Sequence, residues 1–273
     1  MEQNEIVACN NIVENLANTI VDYNVDTVID LTEIGIDNIF EDSVLKEIPI
    51  VKTMYSIAKT GFAIRERHML KKTLVFLEQL NSNNISNENY IKYKEKLRNK
   101  EKAKLKELEH VLIIIDRYVE QNKSRILANL YWNYIDKKID WDQFQELSII
   151  VDNIYLGDFK ELESIYKRRE ITMNEINNKV SFRRLKNLNI VEDIETTLRL
   201  PEGGIGHFYS DYDYQITSLG IMLYECGLTN PLIINNDVYG CWYVKNVIEG
   251  SKVAHSRNFY SQFLESDIVM LIY

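Results

Sequence analysis

The residues TMNEINNKVSFRRLKNLNIVEDIETTLRLPEGGIGHFYSDYDYQITSLGIMLYEC, running from Thr172 to Cys226, decide the fold. Thr172 and Glu175 stand at capping-box spacing, so their side chains suit the free amides that open a helix. That helix is expected to turn Ile176, Val180, Leu185 and Leu188 inward and to stop near Asn189. Ile190 to Leu200 and Phe208 to Ile216 are both rich in β-forming residues. Between them, Pro201-Glu202-Gly203-Gly204-Ile205-Gly206 tolerates positive φ and suits a turn. Helix, strand, glycine-rich turn, returning strand and closing helix follow one another in the order of a winged helix.

Upstream, the pattern is helical. Ile126, Leu130 and Tyr134, beside Leu127 and Tyr131, share a face of a helix from Arg125 to Asp136. Asp140 is placed to cap a helix that buries Phe144, Leu147, Val151 and Ile154 and ends by Gly157, and Asp158 to cap a shorter one, Phe159 to Arg168. Asn87 to Gln121 reads as one long helix or two short ones. Leu105, Leu108, Leu112, Ile115 and Val119 form its apolar stripe, which suits an internal seam, with pairing of two copies the alternative.

Charge is segregated ahead of these helices. Residues 1–47 carry eleven acids against the single base Lys46, whereas residues 48–106 carry fourteen bases against five acids. Apolar residues recur at helical spacing through the acidic part, so it is expected to fold as an amphipathic layer over the basic part. Within the latter, a helix over Ile48 to Ile64, with Pro49 in its first turn, puts Val51, Met54, Tyr55, Ala58 and Phe62 on one face and Lys52 and Lys59 on another. A core helix is favoured; Lys52, Met54, Tyr55, Lys59 and Phe62 would be the contact residues if it lay instead on an anionic membrane or a partner. His68, in the next helix, reads as a surface residue. Beyond Leu228, Asn230-Pro231, Asn235-Asn236 and Gly250-Ser251 punctuate aromatic and apolar pieces, which suggests a small α+β appendage over 229–273.

These pieces predict a mostly α protein: a helical region over 1–138, a winged-helix-like α+β unit over 139–228, and the appendage. Three prolines in 273 residues agree with long helices. The net charge of −9 excludes wholesale coating of nucleic acid, though not a local basic face. Cys9, Cys226 and Cys241 are unclustered, without the spacing of a zinc site. Neither a basic, apolar leader nor an uncharged window long enough for a membrane span is evident, so a cytoplasmic setting is expected.

Candidate chemistry is sparse. Lys179, Arg183 and Lys186 fall at four and three spacing, with Arg184 beside them, and so form a basic face for nucleic acid or a protein partner. Glu202 and the run Ser210-Asp211-Tyr212-Asp213 argue against a phosphate backbone at the wing. GGIGHF precedes a strand rather than a helix and lacks the lysine of a phosphate loop. His207, Asp211 and Asp213 could supply metal donors, but edge solvation is the favoured reading. Neither Glu192, Asp193 and Glu195 nor His255 with Ser251 and Ser256 makes a catalytic set. No catalytic residue, metal site or cofactor is therefore expected.

Four segments carry a family resemblance: LANLYWNYID (127–136), FQELSIIVDNIYLGDFKEL (144–162), FRRLKNLNIVEDI (182–194) and YQITSLGIMLYECGL (214–228). Together they resemble the abortive infection alpha family of bacteria. The family's leucine-rich helix-to-strand junction is matched by Leu185 to Val191, with Asn189 in place of glycine. Its closing helix start is matched by Ile216 to Gly220, where Thr217 is the expected cap. The resemblance implies phage defence and supplies no catalytic residues. The function expected is a non-catalytic protein-binding factor in phage–host conflict, with a homodimer as a further expectation. The alternatives are a membrane-perturbing effector using 48–64 and a nucleic-acid-binding regulator.

Overall fold

Residues 2–22, 45–57, 64–83, 87–194 and 213–228 are described by a computed structural model. All of them belong to the compact unit Met1–Ile233; the other unit, Ile234–Tyr273, lies outside them, as does the appendage expected over 229–273. The described residues hold ten α-helices and one three-stranded antiparallel sheet, so the protein is mostly α with a small α+β part.

The helices are α1 (Glu2–Asp22), α2 (Pro49–Ile57), α3 (Ile64–Ser82), α4 (Glu88–Arg98), α5 (Lys102–Arg117), α6 (Gln121–Ile135) and α7 (Trp141–Asn153). In α1, Val13, Leu16, Ala17 and Ile20 recur at three and four spacing, and all are buried. Thr19, also buried, donates to the Asn15 carbonyl and accepts from the amide of Ile50, which binds α1 to the first turn of α2. Glu14 and Asp22 of α1 reach Lys100 (2.9 Å) and Arg98 (3.8 Å), so this part of the acidic region does lie against basic residues.

The Asn87–Gln121 run is two helices. Lys100 takes φ 52°, and Glu101 and Lys100 donate their amides to Lys96 and Leu97, which closes α4 with a left-handed residue before α5 begins. Leu108, Leu112 and Ile115 of the apolar stripe are buried, and Leu105 is half-buried. Val119 is 86% exposed because α5 ends at Arg117, with Tyr118 as its extended cap. The stripe is thus an internal seam.

Two helices form the centre. Every residue of α3 from Leu70 to Asn81 is buried, polar ones included. Lys72 survives there by donating to the carbonyls of Asp116 and Tyr118 at the end of α5, 2.9 and 2.6 Å away. Glu78 forms an ion pair with Arg125 of α6, 3.1 Å apart and nearly inaccessible. Gln79 donates to Asn129 Oδ1 at 2.9 Å. Along α6, Tyr131 packs on Phe76, Tyr93, Tyr134 and Phe144.

His110 of α5 lies against Trp141 with ring centroids 5.5 Å apart, and burial holds its imidazole below the usual 6.5. The unfolded chain therefore takes up this proton first as pH falls. The His110 contribution is complete above about pH 6.5 and declines as pH drops through the lower folded value. His110→Gln is expected to reduce the loss of urea midpoint between about pH 7 and 5; an unchanged acid limb would contradict this.

Candidate docking face

The α+β part begins with α8 (Phe159–Arg168), followed by β1 (Glu170–Ile171), a single turn of 3₁₀ helix at Met173–Glu175, α9 (Lys179–Asn187) and β2 (Val191–Asp193). After residues 195–212, which lie outside the described residues and include the expected glycine turn, come β3 (Tyr214–Ile216) and α10 (Ser218–Met222). The sheet order is β1-β3-β2, all antiparallel, with Val191 opposite Ile216 and Ile171 opposite Tyr214.

The helix expected from Thr172 begins later. The Thr172–Glu175 capping box is formed, but it closes only the 3₁₀ turn. Asn178 opens α9, its side-chain oxygen accepting from the amides of Val180 and Ser181. This late start fixes which face is inward: Phe182 and Leu185 are buried, and Val180, expected inside, is 57% exposed. The stop near Asn189 holds. Asn189 takes φ 57°, while Ile190 and Asn189 donate to Leu185 and Lys186, a left-handed closure that asparagine tolerates. Leu185 and Ile190, at the two ends of that closure, are both fully buried.

Two carboxylates, Asp158 just before α8 and Glu161 in its first turn, hold α9 in place. Asp158 makes no capping bond, contrary to its expected role. It is completely buried and binds Arg184 through two bonds, Nε to Oδ2 at 2.6 Å and Nη2 to Oδ1 at 2.5 Å. Glu161 accepts from the amides of Asn177 (3.1 Å) and Asn178 (3.0 Å) ahead of α9, and burial raises its pKa. On the other side, Thr217 caps α10 by accepting from Gly220, and donates to the Asn189 carbonyl at 2.7 Å. Gly220 comes so close that an added Cβ would meet the Ile190 carbonyl oxygen at 2.5 Å.

The four candidate cations therefore part company. Arg184 is committed to Asp158, with the Tyr155 ring 5.2 Å from its guanidinium. Lys186 bridges to Asp193 at 2.7 Å and lies over the Tyr214 ring. Lys179 and Arg183 are exposed, one helical turn apart, and have no carboxylate partner among the described residues. With Val180 they make a narrow stripe, two cations beside an uncovered apolar side chain.

The other candidate helix is built differently. Lys52 bridges to Glu47 at 2.7 Å, Val51 and Met54 are buried, and Tyr55, expected on the same face as Met54, is 46% exposed. Val51 and Met54 follow one another by three positions and face the core; Tyr55 falls a further 100° round the helix, toward solvent. Lys59 and Phe62 lie outside the described residues. His68 is exposed, as expected.

Chemical groups poised for reaction are scarce among the described residues. Among the described residues no three His, Cys, Asp or Glu side chains gather where a metal could be held. Burial raises the Cys226 thiol pKa, which disfavours the nucleophilic thiolate. The local pattern does not show Asp158 and Glu161 as positioning groups, because their partners are set by the packing of α8 on α9. Compared with known proteins, the chain matches no family model, no curated protein and no solved structure, so the site is read from its own geometry.

Proposed function

We propose that this protein is a non-catalytic docking factor that engages a protein partner through the exposed stripe of α9. The observation that carries this reading is the fate of the basic helix face: Arg184 is turned onto a buried carboxylate while Val180 is left bare. A place in phage–host conflict completes the proposal and rests on the motif resemblance alone; the cytoplasmic setting rests on the unclustered cysteines Cys9, Cys226 and Cys241 and on the charge pattern of the sequence. Among the described residues no helix is long and apolar enough to cross a membrane.

Counting cations favours protein over nucleic acid. Lys179 and Arg183 are open; Lys186 would have to leave Asp193, an exposed bridge of the kind that contributes about 0–1 kcal/mol. Each neutralised phosphate adds about −0.9 to the slope of log affinity against log salt, and strong duplex binders make about 6–10 such contacts. Two or three cations give a slope no steeper than about −3 and weak affinity. Exposed Glu192 and Asp193 on β2 add local repulsion.

A salt series with fluorescent duplex DNA and the full chain tests this. The expected result is weak binding with that shallow slope. A slope steeper than about −5, relaxed by Lys179→Ala plus Arg183→Ala, would make the protein a nucleic-acid binder instead.

A further inference from the structure

We infer that the segment received by α9 is an acidic amphipathic helix of the partner, with two carboxylates one turn apart and an apolar residue beside them. This rests on the docking reading above and adds the chemistry of the ligand. Lys179 and Arg183 are separated by four residues, which places their Cβ atoms about 5–6 Å apart on one face. Glu or Asp residues at the same spacing on a second helix have the matching separation. Val180 lies next to Lys179 and one turn before Arg184, so the apolar contact falls beside the cationic pair rather than at a distance from it.

The neighbours narrow the choice. Asp158 and Asp193 occupy Arg184 and Lys186, one on each flank, so the open positive charge is confined to the two exposed positions. A broad polyanion would meet Asp193 and Glu192 beyond that stripe, whereas a single helix need not extend past it. Charge complementarity with an apolar anchor thus selects an acidic helix over a basic or uncharged one. Long cationic side chains can also lay their methylenes along the partner's apolar residue.

The test is selection of a displayed library of helical 18-residue peptides on the full-length chain, followed by anisotropy titration of the recovered peptides. The expected winners carry Asp or Glu at i and i+4 beside Leu, Ile or Phe. Arg183→Glu should weaken them at least about tenfold, Val180→Asp similarly, and Lys96→Glu, an exposed change on α4, not at all. Replacing one peptide carboxylate by lysine should restore binding to Arg183→Glu. Circular dichroism of each variant separates loss of the face from loss of the fold. Winners that lack acidic residues yet are lost with Val180→Asp would overturn the inference about chemistry and leave the docking face standing. Winners indifferent to both α9 substitutions would overturn the docking face itself.

Discussion

Gly220→Ala is expected to lower stability by about 1–3 kcal/mol, the range of an overpacked core site. In an open helix the same change stabilises by up to about 1 kcal/mol, because alanine loses less backbone entropy than glycine. Here the new methyl would sit 2.5 Å from the Ile190 carbonyl oxygen, 2.8 Å from Ile216 Cγ1 and 2.9 Å from Ile190 Cγ2. The carbonyl cannot retreat without cost, since it accepts the amide of Thr217 and stands where α9 passes into β2. The steric term therefore wins. A urea midpoint at or above that of the parent would show that α10 does not press on the β2 junction as described.

Arg125→Ala is expected to cost more, about 3–5 kcal/mol, because it takes from the buried Glu78 carboxylate the guanidinium that faces it 3.1 Å away between α3 and α6. Both side chains are almost inaccessible, 5% and 8% exposed, with 3.1 Å between their charged atoms. Removing one partner of a buried pair leaves an uncompensated charge, while removing both often costs little, since neither must be desolvated. Glu78→Leu combined with Arg125→Met should accordingly recover most of the loss. Additive destabilisation in the double variant would mean that the two charges are held independently. Against a total stability of about 5–15 kcal/mol, the single variant loses about a fifth or more of what keeps the chain folded.

The pair lies beside a polar seam that connects the bundle to the α+β part. Asn129 accepts from Gln79 and donates to the Gly227 carbonyl at 2.9 Å, and Asn133 donates to the Cys226 carbonyl at 3.0 Å. Those carbonyls belong to a π-helical turn, Leu223–Leu228, that follows α10. Arg125, Asn129 and Asn133 repeat every four residues, so one face of α6 carries the seam while Tyr131 and Leu127 serve the apolar core.

Much of this architecture is legible in the sequence where cause and effect are close together. Asp140 with Gln143 forms a capping box, Thr217 caps α10, Pro49 opens α2, and Asn189 closes α9, each by contacts within a few residues. The described ends of the expected hairpin, Val191–Asp193 and Tyr214–Ile216, pair as strands. Long-range choices are not legible in the same way. Asp158 has the spacing of a cap, but its partner Arg184 is 26 residues on, and only the packing of α8 on α9 brings them together. The strand β1 is two residues long, too short for any alternation to show. Lys71, Lys72, Glu78 and Gln79 are polar and carry no local mark of burial, yet all are buried because α3 has helices around it. Val180 fits an apolar helical pattern if the helix starts at Thr172; it lies outside because Asn178 resets the start.

The central claim, that α9 presents a protein-docking stripe, is tested most directly by photocrosslinking in native cells, infected and uninfected. A p-benzoylphenylalanine is placed at Val180, whose side chain is more than half exposed. The account predicts a discrete adduct that is destroyed by protease, resists nuclease, and disappears when Arg183→Glu is added. An adduct that collapses on nuclease treatment, or the absence of any adduct under both conditions, would contradict it.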